Sequence, residues 1–284
     1  MPSARDLQRQ INTVKNQARV FSALQTVSSV KFRKAEARVR RARPYAENVE
    51  QMMRDVAANA TGDLPLLTGR EVNRVAVCTL TADRGLAGGF NAQVLRRTVR
   101  LREEKDPGAL QVASGRKAVA FFRFRRVELA EVFTGFTDNP TYENAREIGR
   151  TLTRLFDEEE ADEVYLVYNR FESAMNQRPV VTRLLPVARD EEDGNGTSYM
   201  DYVPDAETVL KRLVPRYVET MVWQALLEGA AGELGARMTA MKNATDNAND
   251  LVRDLTLQMN KARQAQITQE ILEIVGGAEA LSAG

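Results

Sequence analysis

The stretch Leu7-Gln-Arg-Gln-Ile11-Asn-Thr-Val14-Lys-Asn-Gln-Ala18-Arg-Val-Phe21 decides how the chain is read. Its apolar residues Leu7, Ile11, Val14, Ala18 and Phe21 are separated by steps of four, three, four and three. That spacing keeps one narrow stripe on one side of an α-helix, the seam along which two helices pair as a coiled coil. The segment around it supports a long helix: residues 3–60 contain no glycine and one proline, Pro44. Ser3, followed by Asp6, supplies an N-terminal cap. A helix over this span rises roughly 80 Å, too long for one compact domain to wrap.

The far end of the chain carries a matching pattern. Leu234, Met238, Met241, Thr245, Ala248, Val252, Leu255, Met259, Ala262 and Gln266 again alternate steps of four and three. The chain reads as helical from Asp205 to about Leu281, with Pro204 ahead of the helix and Pro215 expected to kink it. More than 70 residues of helix amount to about 110 Å. The two terminal helices are expected to pair antiparallel. Because the second is longer, either its tip is expected to project past its partner or its base to extend beyond it; in the first case the apolar end, Ile271-Leu-Glu-Ile-Val-Gly-Gly-Ala-Glu-Ala-Leu281, stays uncovered. An uncovered apolar helix end signals a binding surface.

Between the helices the period changes. Val72–Leu80 is a short β-branched run, followed by Thr81-Ala-Asp-Arg-Gly-Leu-Ala-Gly-Gly-Phe-Asn91 and a helix to about Lys105. Strands near 110–114 and 126–133, helices near 115–123 and 141–158, and the strand Glu163–Tyr168 continue the alternation, which predicts a mostly parallel sheet. Val180–Leu185, bracketed by Pro179 and Pro186, suits an edge strand. Asp190–Ser198 reads as a surface loop. The expected division is a helix over 1–60, a Rossmann-like α/β domain over 70–188 and a helix over 205–284.

Composition narrows the chemistry. The chain has 284 residues, 28% of them charged and 6% aromatic, with a net charge of +1. It contains no histidine, which removes the commonest general base and metal ligand. Its single cysteine, Cys78, cannot form a disulfide within the chain, as suits a reducing compartment. There is no signal peptide and no apolar run of about 18 residues, so no membrane span is expected. Residues 1–45 hold eleven basic side chains against two acidic ones. Such a run fits an acidic protein partner, a membrane surface or nucleic acid, although no aromatic stacking platform accompanies it. Gly85, Gly88 and Gly89, between a strand and a helix, sit where a phosphate could be cradled. Their spacing matches neither the dinucleotide fingerprint nor a Walker loop, and a tight structural turn is the competing reading. Acidic runs at Glu158–Glu160 and Asp190–Glu192 read as solvated loops.

The residues also resemble a known family. Asp83-Arg-Gly-Leu-Ala-Gly-Gly-Phe-Asn91 is similar to the glycine turn of F-type ATP synthase gamma subunits, bacterial type. Ala236-Arg-Met-Thr-Ala-Met-Lys-Asn-Ala-Thr-Asp-Asn247 and Asn260-Lys-Ala-Arg-Gln-Ala-Gln-Ile-Thr-Gln-Glu-Ile-Leu-Glu-Ile-Val275 resemble that family's signature, and Ile11–Asn16 and Arg43–Ala46 also fit. The resemblance implies an antiparallel coiled coil with an inserted Rossmann-like domain. It implies a central rotor shaft that couples ion-driven c-ring rotation to conformational change in catalytic beta subunits, without an active site, cofactor or metal of its own. The implied partners are the alpha and beta subunits, epsilon and the c-ring, with delta reached only indirectly. No nucleic acid is bound and nothing is inserted into the bilayer. The implied location is the cytoplasmic face of the plasma membrane. Arg263 and Gln264 resemble the pair that meets the catch loop of a beta subunit. Tyr202 falls in the segment that resembles the c-ring contact, and Ile271, Ile274 and Val275 in the tip held by the alpha/beta sleeve. Lys31 stands where the family carries a lysine. Departures are Leu24-Gln-Thr26-Val27 in the first helix, Ala87 in place of a cysteine, and no cysteine-bearing insertion, so no thiol switch is expected. Two other classes stand beside this reading: a nucleotide-binding α/β enzyme, and a coiled-coil tether.

Overall fold

The computed structural model describes residues 3–59, 69–187 and 206–282. Tyr202, Pro204 and the Asp190–Ser198 loop lie outside the described residues. In chain order the described elements are α1 (Ala4–Asn59), β1 (Val75–Leu80), α2 (Phe90–Lys105), β2 (Leu110–Ser114), α3 (Arg116–Phe124), β3 (Leu129–Phe133), α4 (Tyr142–Asp157), β4 (Glu163–Phe171), β5 (Gln177–Leu185) and α5 (Ala206–Ser282).

The heptad seam is longer than its clearest part. Leu7, Ile11, Ala18, Ser28, Phe32, Val39, Ala46, Val49, Met53 and Val56 of α1 are all buried, with Val14, Phe21, Gln25, Ala35 and Ala42 half-buried between them. One four-three alternation therefore runs from Leu7 to Val56. A strict seven-residue repeat over this length favours a left-handed pairing of helices. Ser3 caps α1 as expected: its Oγ accepts from the Asp6 amide at 3.2 Å and donates to the Asp6 carboxylate at 2.7 Å. Pro44 lies on an exposed position of α1, where water can serve the carbonyl left without a donor.

The chain falls into two compact units whose boundaries lie inside both long helices: residues 1–27 with 238–284, and residues 28–237. In the first, Leu7, Ile11 and Ala18 of α1 and Met241 and Ala248 of α5 are buried along their seams. In the second, α1 and α5 run antiparallel. Phe32 and Val39 share a cluster with Leu227, Ala231 and Leu234, while Val49 and Met53 share one with Val214, Val218 and Val222.

The sheet in this second unit has the order β3-β2-β1-β4-β5, with β5 antiparallel to β4 and every other pair parallel. Both faces are covered, as parallel strands require. Val75, Val77, Tyr165 and Val167 meet Val94 and Leu101 of α2, and Ala113 meets Ala118, Val119 and Phe122 of α3. The alternate residues Ala76, Cys78, Val112 and Leu166 meet Ile148, Leu152 and Phe156 of α4 and Val218 and Val222 of α5. Full burial pushes the Cys78 thiol up to about 12.

Several strand limits differ from the sequence expectation: β3 begins at Leu129 rather than near 126, β4 runs past Tyr168 to Phe171, and two further shifts have a visible cause. β1 begins at Val75, not Val72, because the amides of Asn73 and Arg74 each donate to the Asp162 carboxylate at 2.9 Å rather than to a ladder. β5 begins at Gln177, so Pro179 lies within it rather than before it; an edge strand tolerates the missing amide.

Candidate partner-contact surfaces

Parallel α/β sheets place ligands beyond the carboxyl ends of their strands, so the glycine turn is the first place to look for chemistry. It is occupied by the protein itself. The Asp83 carboxylate accepts from the Arg116 amide at 3.0 Å, at the first turn of α3, and from the Gly135 and Thr137 amides at 2.8 and 3.2 Å. Asp83 thereby fills the N-terminus of the neighbouring helix α3, where an anion could bind, and ties the loops after β1, β2 and β3 together. Asn91 Oδ1 accepts from the Ala82 amide at 2.8 Å and closes the turn from the other side. Gly115, with φ of 92°, leaves no room for a side chain: a Cβ there would stand 2.2 Å from the Thr81 carbonyl oxygen.

α5 seals what remains. Gly232 lets it approach so closely that a Cβ would lie 2.9 Å from the Phe90 ring, and Gly235 would bring one to 3.1 Å from the Ala174 backbone. Arg237, ion-paired with the buried Glu233, donates through Nε and Nη2 to the Gly85 carbonyl at 3.2 Å. Burial raises the Glu233 carboxyl above its ordinary value, against the pull of Arg237, and Asp138 and Asp83 add to the rise. The space enclosed by Leu80, Thr81, Phe90, Thr137, Ala230 and Glu233 is about 10 Å³, room for one water and not for a nucleotide.

A second joint sits at the other side of α5. Glu228, buried, accepts from Arg43 at 3.2 Å, from Gln224 at 2.8 Å and from the Phe171 amide at 3.0 Å, while Arg43 also donates to the Phe171 carbonyl at 2.9 Å. One carboxylate thus links α1, the end of β4 and α5. Nearby, Arg38 lies over Trp223 at 5.6 Å and donates to Asn139 and to the Pro140 carbonyl. Lys31 pairs with Asp138 at 3.3 Å. The basic run of α1 is therefore partly consumed: Lys31, Arg38 and Arg43 are engaged, whereas Arg33, Lys34 and Arg41 face outward without ion pairs among the described residues.

The remaining surface lies at the end of α5. Seam positions stay at least half-buried as far as Ala262, and every residue from Arg263 to Ala278 is exposed. Arg263 and Gln264 stand at the start of this stretch. Ile267, Ile271, Ile274 and Val275 follow at helical spacing, and Ile274 is 71% exposed. Glu270 and Glu273 are held on the helix by Gln266 and Gln269 at 3.0 and 3.1 Å. Five of the six expected site residues, Arg263, Gln264, Ile271, Ile274 and Val275, thus share one helix end; the sixth, Tyr202, lies outside the described residues. Sequence reasoning missed the Asp83 cross-link and the Arg43–Glu228 joint. It also passed over Gly232 and Gly235, one helical turn apart, where α5 packs closely against its neighbours.

Residues 3–281 match a family model described as ATP synthase. An ATP synthase gamma chain of Rubrobacter xylanophilus is 69% identical, with the whole of both chains aligned. The chain belongs to the ATP synthase gamma chain family. The gamma chain of Moorella thermoacetica, 49% identical, aligns over 99% of this chain and 100% of its own length. The fold recurs in the Euglena gracilis mitochondrial ATP synthase solved with OSCP, F1 and c-ring, with a TM-score of 0.70 at 19% identity over 99% of this chain and 95% of that one. A chain of the Tetrahymena thermophila mitochondrial ATP synthase central stalk and c-ring gives 0.61 at 20% identity, over 79% and 99%. Among the described residues, no helix is long and apolar enough to cross a membrane.

Proposed function

We propose that this chain is the central rotor shaft of an F1Fo ATP synthase, turning with the c-ring inside a ring of alpha and beta subunits. ATP is made in the beta subunits, and run in reverse their hydrolysis drives the shaft. The observation that carries this reading is the end of α5, where a helix otherwise committed to a seam presents Arg263, Gln264 and an apolar stripe to whatever surrounds it.

The residues divide the task. Arg263 and Gln264 bind the catch loop of a beta subunit; a guanidinium can grip a carboxylate with two hydrogen bonds and release it when the register changes. Ile271, Ile274 and Val275 form an apolar bearing within the alpha/beta sleeve, where contact without fixed polar partners permits turning. Tyr202 contributes to the contact with the c-ring at the foot of the shaft, and epsilon binds at its side. The complex is peripheral at the cytoplasmic face of the plasma membrane. The domain division that serves this function is a helix over 1–60, an α/β domain over 70–188 and a helix over 205–284.

The nucleotide-binding enzyme is the weaker reading, because α5 packs against the glycine turn through Gly232 and Arg237, and Asp83 occupies the neighbouring N-terminus of α3. The purified chain is expected to hydrolyse no ATP alone, and to restore coupled ATP synthesis when added to a complex lacking it. Robust turnover by the isolated chain would sink the rotor reading.

A further inference from the structure

The end of α3 carries a feature that neither the core nor the shaft uses. Residues Phe121-Phe-Arg-Phe-Arg-Arg126 place two phenyl rings in the fold and leave one out. Phe122 is buried and Phe121 half-buried, packed with Val127 and Leu129. Phe124 is 88% exposed. Arg123, Arg125 and Arg126 surround it, all exposed, and none makes an ion pair among the described residues. The Arg125 guanidinium lies 5.0 Å from the centre of the half-buried Phe121 ring.

The backbone fixes this cluster. The Val127 amide donates to the Phe122 carbonyl and the Arg126 amide to the Arg123 carbonyl, both at 3.0 Å. That is the helix-ending motif whose left-handed position is usually glycine. Here it is Arg126, with φ of 57°. A cation is thus kept where the backbone would prefer no side chain. Between Arg116 and Arg126 there are five basic residues and no acidic one; Glu128 and Glu131 come only after the turn. Because α3 returns antiparallel to the parallel strands, this end lies at the amino-end rim of the sheet, opposite the glycine turn; Lys105, at the end of α2 on the same rim, is paired with Glu163 and takes no part in the cluster.

We infer that this rim is a contact for an anionic phospholipid surface, with Phe124 entering the interfacial layer and the three guanidiniums bound to headgroups. The convexity argues for a bilayer. A projecting phenyl needs an apolar layer beneath a layer of negative charge, and a bilayer interface supplies that order without a preformed socket. An acidic protein partner would need a matching pocket ringed by carboxylates. One phenyl and three cations give weak binding, effective when the chain is already held near a membrane.

The test uses the full chain with Phe124→Cys carrying an environment-sensitive dye; Cys78, buried with its thiol at about 12, stays unlabelled. At low ionic strength the dye should brighten with vesicles of phosphatidylglycerol and phosphatidylcholine, fade as salt is added and ignore phosphatidylcholine alone. Adding Arg123→Gln and Arg126→Asn, the latter tolerant of the left-handed backbone, should weaken binding about tenfold or more. Arg33→Gln with Arg41→Gln, in α1, should leave it unchanged. No response to anionic vesicles, or an equal response to neutral ones, overturns the proposal. So does brightening on addition of partner subunits without lipid, which would make the rim a protein contact. Coupled ATP synthesis is not the readout, so the rotor reading stands or falls separately.

Discussion

The two stretches of α5 obey different rules although they are one helix. From Val214 to Arg237 nearly every residue is at least half-buried, whichever way it faces. From Met238 to Ala262 cover is largely confined to the seam, with Thr239, Ala240, Ala244 and Thr256 half-buried beside it, and from Arg263 to Ala278 every residue is exposed. The first stretch is packed by protein on several sides, so it admits glycines and buried charge. The second has one partner helix and then none, so its outer faces are available to other subunits. One backbone element can therefore be part of a domain core at one end and a contact surface at the other, with the difference set by what its neighbours bury.

The contrast can be attacked from the packed end first. Glu228→Ala strips Arg43, Gln224 and the Phe171 amide of their shared acceptor. We expect a loss of about 2–4 kcal/mol, because a buried donor is left unpaired and a half-buried ion pair is broken. Urea denaturation followed by Trp223, the only tryptophan, reads it, since Trp223 packs against Tyr142 and Arg38 in the same unit. A loss near zero would mean the joint is ornamental. Gly232→Val should cost about 1–3 kcal/mol by overpacking against Phe90 and Gln177, in the same assay.

The exposed end should behave in the opposite way. Ile271→Ser with Ile274→Ser is expected to change the stability of the isolated chain by less than about 0.5 kcal/mol while impairing rotation or assembly in the reconstituted complex. Arg263→Ala with Gln264→Ala should likewise leave the Trp223 transition in place and reduce torque under load. Unchanged rotation would remove those two residues from the contact. The smallest effect is electrostatic. Burial pushes the Asp162 carboxyl upward, but Arg70 and the amides of Asn73 and Arg74 outweigh it, so its pKa is lowered on folding. The stabilisation is present above the ordinary carboxylate value and is lost as pH falls through the lowered one. Asp162→Asn should therefore flatten the acid limb of stability against pH.

The parts of this contrast differ in how readable they were. The seams were legible because a coiled coil writes its geometry into local spacing, and the α/β alternation because strands and helices differ in period. The seam past Phe21 was obscured by Gln25 and Ser28, polar residues at positions the spacing still required. The strand limits depended on Asp162 and Pro179, where a distant carboxylate and an edge position override local preference. Glu228 and Arg43 are far apart in the chain, and no local pattern announces their meeting. The exposed end was foreseeable from the unequal lengths of the two helices, whereas no spacing in the sequence marks Phe124 as the phenyl left outside the core.

Ile274→Cys offers the sharpest measurement. Cys78 is buried and its thiol is held at about 12, so a maleimide reports residue 274 alone. In the isolated chain the label should attach at the rate of an open helix surface, and in the assembled complex attachment should be strongly suppressed. Equal labelling in both would show that the end of α5 meets no partner, and the proposed bearing would be wrong.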